Sequence, residues 1–139
     1  MKTRRGQVSG NAEAEYAADV ALAARFDELL ERARDAEQAL RAAQASRTPA
    51  DQVYPLAVNF DEALTDAMRS AYAAQRAEIG PRGYDDRIYR RKAKAKPAVH
   101  AWTDEAERLL TLRETHRLTG IPPRPRTLPD SEVVPHVPA

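Results

Sequence analysis

From residue 12 to residue 45 the chain runs for 34 positions without a glycine or a proline, and a stretch of that composition has helix as its natural conformation. Ser9 or Asn11 supplies an N-cap. Within the run Leu22, Phe26, Leu29, Ala33, Ala36, Leu40 and Ala43 recur at spacings of four and three, which makes a heptad-like seam along one face. The small residues at 33, 36 and 43 let a second helix approach closely. Asp27, Glu28, Glu31, Arg32, Arg34 and Asp35 fall mostly on other faces. Roughly three heptads is short for an autonomous coiled coil, so the seam is read as intramolecular. A homodimer through residues 22–43 is the alternative.

The partner helix lies downstream. Thr48 is placed to cap a single turn with Pro49 at its first position, and Pro55 is expected to push Tyr54 out of helical geometry. A second helix is then predicted from Asn59 to Ile79, opened by Asn59 and Glu62 as a capping-box-like pair and closed by Gly80-Pro81. Phe60, Leu64, Met68, Tyr72 and Ile79 form its apolar stripe. About twenty residues of helix span ~30 Å, matching the seam from Leu22 to Ala43, so residues 1–81 are expected to form an antiparallel αα-hairpin. Residues 12–21, with Tyr16 and Val20, would project beyond it and offer a seat for a partner.

Residues 82–101 read as a basic arm. From Arg82 to Lys96 the chain places seven cations (Arg82, Arg87, Arg90, Arg91, Lys92, Lys94, Lys96) against two acids, Asp85 and Asp86. The segment Tyr84 to Ala95 has the makings of a short helix, and Pro97 interrupts it. The charge excess calls for an anionic contact: nucleic-acid phosphate, another anionic macromolecule or an acidic protein surface, with a merely solvated linker as the plain alternative. Tyr84 and Tyr89 sit in the run as candidates for stacking on bases or for packing. The halves of the chain differ in the same sense, residues 1–70 carrying net −3 and residues 71–139 net +4.

A further helix is predicted over 102–120, with Thr103 as cap, acids in the first turn, Arg113 and Arg117 late, and Gly120 as stop. The run Trp102-Thr103-Asp104-Glu105-Ala106-Glu107-Arg108-Leu109-Leu110 resembles the opening of a Myb/SANT-type DNA-binding repeat, in which a Trp precedes an acidic, Leu-rich first helix. The likeness covers about eleven residues, to Leu112. Such a fold needs two more helices, whereas Gly120-Ile121-Pro122-Pro123 opens a segment unable to form either, and without a recognition helix nothing is left to enter a major groove. Trp102 is therefore read as packing its helix onto the hairpin, or as a partner contact beside Tyr16 and Val20.

Residues 121–139 hold six of the chain's prolines and are expected to be an extended, polyproline-like tail. It would lash the module to a neighbour through Val133, Val134 and Val137. The fold class predicted is thus all-α: an antiparallel αα-hairpin plus one or two short helices, with that tail.

Composition bears on function in two ways. Leu, Ile, Val and Phe together number 24 of 139 residues, whereas alanine alone supplies 27, so the core is thin and a completing partner is expected. The chain has no cysteine, which removes thiol chemistry and thiolate metal sites. His100, His116 and His136 lie in a linker, late in a helix (as a dipole partner or solvated residue) and in the tail, with no ligand-spaced companion. The serines and glycines form neither a nucleophile context nor a phosphate loop. Asp85-Asp86 beside Arg87 reads as a helix cap. No cofactor, no metal and no enzymatic activity are expected. The basic start Met1 to Arg5 lacks a following apolar run and there is no span of membrane length, so a cytoplasmic chain, or one incorporated in a virion or other intracellular assembly, is expected. The function expected is that of a non-enzymatic helical adaptor or structural subunit; the alternative is a nucleic-acid-binding accessory protein of plasmid or phage DNA processing that contacts phosphates without reading sequence.

Overall fold

The computed structural model describes residues 8–121, and among them every regular element is a helix. The axis of the molecule is α3 (Ala50–Ile79), 30 residues and about 45 Å long. Along one side of it lie α1 (Gly10–Ala23) and α2 (Phe26–Ala45); along the other lies α6 (Pro97–Thr115). Both sides are antiparallel to α3. Leu22 meets Ser70 and Asp19 meets Arg76 on the first side, while Gln75 meets Thr103, Thr65 meets Arg113 and Asp61 meets Arg117 on the second. The predicted hairpin is present, and a third long helix completes it.

A helix flanked on both sides must be apolar or small over most of its circumference. Accordingly α3 buries Val53, Ala57, Phe60, Leu64, Ala67, Ala71, Ala73 and Ala74. The main core joins all of these except Ala73 and Ala74 to Phe26, Leu29, Ala33 and Leu40 of α2 and Ala106 and Leu109 of α6, with Leu22, Ala36, Ala43, Met68, Tyr72 and Trp102 packed against its edge. The 22–43 seam is thus closed within the chain by α3. Trp102 meets Phe26 edge-on, ring centroids 5.1 Å apart and planes at 89°, a geometry that aromatic quadrupoles favour.

Several boundaries depart from the sequence expectation. The single helix over 12–45 is two helices, joined by a turn at Ala24 and Arg25. The Leu22 carbonyl there accepts the Arg25 N–H at 3.1 Å and the Ser70 hydroxyl at 2.8 Å, so a contact from α3 accompanies the break. Ser9 is the N-cap of α1, accepting the Ala12 N–H at 3.1 Å.

Proline 55 does not delay the second helix, which starts at Ala50. It removes only the N–H that would reach the Asp51 carbonyl, and both residues are exposed, so water can serve that carbonyl. The buried Val53 and Ala57 on either side hold the turn. Asn59 consequently lies mid-helix rather than at a cap. Because α3 is longer than predicted it covers α1 as well as α2, and residues 12–21 pack on α3 and α4 instead of projecting.

Two turns set the course of the chain beyond each long helix. Arg47, at φ 54, ends α2, with the Thr48 N–H on the Ala43 carbonyl at 3.0 Å and the Arg47 N–H on that of Gln44 at 3.1 Å, a Schellman closure. Gly80, at φ 100 and ψ 173, ends α3 as predicted, in backbone territory open almost solely to glycine. The chain then reverses through α4 (Arg82–Asp85) and α5 (Arg87–Ala93) before Pro97 opens α6. Thr103 is therefore not a cap: it lies in the second turn of α6, donating to the Val99 carbonyl at 3.0 Å. Beyond α6 a π-helical turn, His116–Gly120, closes the described chain. The proline-rich tail with Val133, Val134, His136 and Val137 lies outside the described residues.

Candidate functional site

The predicted basic arm is not a loose linker. Asp86, in extended geometry, caps α5 by accepting the Tyr89 N–H at 2.9 Å, as the pair Asp85-Asp86 suggests. Ala93 is buried with Ile79 and Val99 in a second small core, with Tyr89 at its margin. Gly83 is buried, and a Cβ there would lie 2.5 Å from Ile79 Cγ2, so α4 sits as close to the end of α3 as backbone permits.

The other neighbour of this end is α1. The Ser9 N–H and hydroxyl donate to the Asp85 carboxylate at 2.8 and 3.1 Å. Arg76 reaches Asp19 with two hydrogen bonds of 2.8 and 3.0 Å, and the Tyr84 hydroxyl also donates to Asp19. Burial raises the Asp19 carboxyl, but the hydrogen bonds from Arg76 and Tyr84 and the Arg76 charge outweigh it, leaving the pKa below the ordinary value. Tyr84 is shifted upward, by burial first and by Asp19 next.

This arrangement divides the seven predicted cations. Arg82 sits 4.5 Å over the Tyr89 ring and 3.4 Å from Asp86. Arg90 is half-buried, donates to the Gly83 carbonyl at 3.1 Å and, with Arg76, Ile79, Gly83 and Tyr84, lines a small cleft. Lys96 lies 5.8 Å from the Tyr89 ring centroid. Arg87, Arg91, Lys92 and Lys94 are exposed, and none of them forms an ion pair among the described residues. At about 100° per residue these four share the arc opposite Ala93, and Ile88, 68% exposed, stands among them.

From Arg87 to Lys96 there are six cations and no acid. Like charges at i, i+4, as at Arg87 and Arg91, destabilise a helix, and here the Asp86 cap and the buried Ala93 oppose that repulsion. The result is a convex positive ridge on a fixed mount.

The remaining candidates serve the fold. Tyr84 is held through its hydroxyl by Asp19, and the Tyr89 ring lies beneath Arg82 and beside Lys96. Trp102 belongs to the packing described above. Tyr16 is half-buried and Val20 is 42% exposed. His116 is buried rather than solvated, its Nε2 2.7 Å from the Ala57 carbonyl and its ring against Phe60 at 4.7 Å. His100 is exposed, Nδ1 3.2 Å from Asp104. Among the described residues no three His, Cys, Asp or Glu are grouped to hold a metal, and no helix is long and apolar enough to cross a membrane.

Sequence reasoning missed the network of Asp19, Arg76 and Tyr84 and the contact of Ser70 with Leu22. The partners in each are 48 to 65 residues apart, and no local spacing announces them. No family model, curated protein or solved structure matches this chain.

Proposed function

We propose that this chain is a non-enzymatic helical module of a larger assembly, and that α5 is its docking face for an anionic macromolecule. One observation carries the reading: the four cations Arg87, Arg91, Lys92 and Lys94 are displayed on one exposed arc of a capped helix without an intrachain acid. Clustered like charges raise the local potential and concentrate anions. A polyanion laid along the ridge relieves the repulsion among the four side chains and gains their attraction.

Support also comes from the mounting. The helix is joined to α4 through the bond from Arg90 to the Gly83 carbonyl and to α3 and α6 through Ala93, buried with Ile79 and Val99, and α4 is tied in turn to α1 at Asp85 and Tyr84, so a load on α5 is passed to the three-helix body. An adaptor needs that property, whereas a solvated linker does not.

Retention on immobilised heparin, a generic polyanion, tests this reading. The wild-type chain is expected to elute at clearly higher salt than a variant with Arg87, Arg91, Lys92 and Lys94 all changed to Ala. The helical circular dichroism of the two should agree, because all four side chains are exposed. Elution of both at the same salt would overturn the proposal.

A further inference from the structure

Resting on the reading of α5 as an anion-docking face, we infer that its occupant is the phosphodiester backbone of a double-helical nucleic acid, held by Arg87, Arg91, Lys92 and Lys94 without base reading. Three properties of the ridge select this occupant over other polyanions.

The first is the lack of an apolar centre. Protein interfaces are built around a desolvated, largely apolar core from which lysine is depleted. Here the exposed arc offers one apolar residue, Ile88, ringed by four cations. The four cations stand on the outer arc of a helix, opposite the buried Ala93, and none of them lines the small cleft beside Arg90. Repeating phosphates need only exposed cations on a rigid support, and such contacts position a protein without carrying sequence information.

The second property separates a duplex from a single strand. Proteins that hold single strands combine cations with aromatic platforms on which successive bases stack. The two tyrosines of this region are both engaged: the Tyr84 hydroxyl on Asp19, and the Tyr89 ring by Arg82 at 4.5 Å with Lys96 at 5.8 Å. No aromatic ring is left on the exposed arc, so bases that stay stacked inside a double helix suit it better.

The third property concerns readout. The stretch from Arg82 to Lys96 contains no Asn or Gln, the side chains that pair with adenine in the major groove, so the base reading left to weigh is the pairing of its arginines and lysines with guanine. With seven residues, α5 is about 10 Å long, and its cations are spread around an arc of more than a third of a turn. That distribution lets them follow a curved backbone instead of converging on one base pair.

Fluorescence anisotropy with a labelled random-sequence duplex of about 20 base pairs tests the inference. The expected result is binding to the wild-type chain that weakens at least about tenfold in the four-alanine variant, since four phosphate contacts are lost. Binding should survive Arg87→Lys with Arg91→Lys, because charge rather than fork geometry is used. A second duplex of unrelated sequence should bind alike. Poly-glutamate competing as well as unlabelled duplex would overturn the inference in favour of an acidic protein surface, and a preference for the single strand would also overturn it. Equal duplex affinity of the wild-type and four-alanine chains would remove α5 as the contact. Heparin retention separates the levels: if it is lost in the four-alanine variant while duplex binding is absent in both chains, the anion face stands and the nucleic-acid occupant falls.

Discussion

The hydroxyl of Ser70, fully buried on α3, donates to the main-chain carbonyl of Leu22 at 2.8 Å, at the point where α1 gives way to α2. A side chain thereby uses a helical acceptor, and the run of residues without glycine or proline bends there. The turn divides the first side of the molecule between two jobs. Downstream, α2 fills the main core; upstream, α1 carries Asp19 and Ser9 to α4 and so to the mount of the basic ridge.

Replacing Ser70 with Ala removes that bond but leaves Leu22 its contact with the Arg25 N–H. A destabilisation of about 1 kcal/mol is expected, read as a lower urea midpoint at unchanged slope. An unchanged midpoint would mean that the hydroxyl contributes nothing to the turn.

Proline 55 leads to a prediction in the opposite direction. Alanine at this position restores a donor for the Asp51 carbonyl in a turn already held by Val53 and Ala57. The variant is expected to gain about 1–2 kcal/mol, part of the usual cost of an interior proline, offset by the greater freedom of its unfolded chain. Thermal unfolding monitored by circular dichroism checks this, and a lower melting temperature would refute it.

The charged contacts around α1, α3 and α6 imply a stability plateau with two edges. Asp61 is held below the ordinary carboxyl value by its hydrogen bond from Arg117, with burial opposing, and Asp19 is lowered on balance as described. A carboxyl with a depressed folded pKa stabilises the fold fully above its unfolded value, about 3.9, and that contribution is lost as pH falls through the folded pKa. For Tyr84 the shift is upward, so its contribution is complete below the ordinary phenol value near 10 and is lost as pH rises beyond it. Urea midpoints should therefore hold level between about pH 5 and 9 and decline on both sides. In Asp19→Asn the acid decline should be shallower, with neutral-pH stability reduced by about 1.5–3 kcal/mol. An acid decline as steep as wild type would show that Asp19 is not among the groups responsible.

Legibility in the sequence followed the range of the interactions. The all-α class, the antiparallel pairing of the Leu22 to Ala43 face with the helix that carries Phe60, Leu64 and Met68, the stop at Gly80 and the Asp86 cap all rest on spacings within one or two turns, and these were readable; that Ile79 packs instead with Ala93 and Val99 was not. Helix starts and breaks set by tertiary contacts were not. Ser70 acts on Leu22 from 48 residues away, Val53 and Ala57 outweigh Pro55, and Gln75 draws the Thr103 hydroxyl into a 2.6 Å bond that a cap could not make. The basic ridge was legible as charge, but its division into four cations without an intrachain contact and three that touch Tyr89, Asp86 or Gly83 depends on where those residues come to lie.

That division sets the most direct test of the account, the slope of log K against log salt for the duplex. Four phosphate contacts predict a slope of about −3.6, a loss of about 150-fold between 50 and 200 mM salt, and the four-alanine variant should be nearly flat. A wild-type slope near −6 would mean that Arg82, Arg90 and Lys96 also reach phosphates and that the mount does not hold them. A slope near zero would contradict contact with the phosphate backbone altogether.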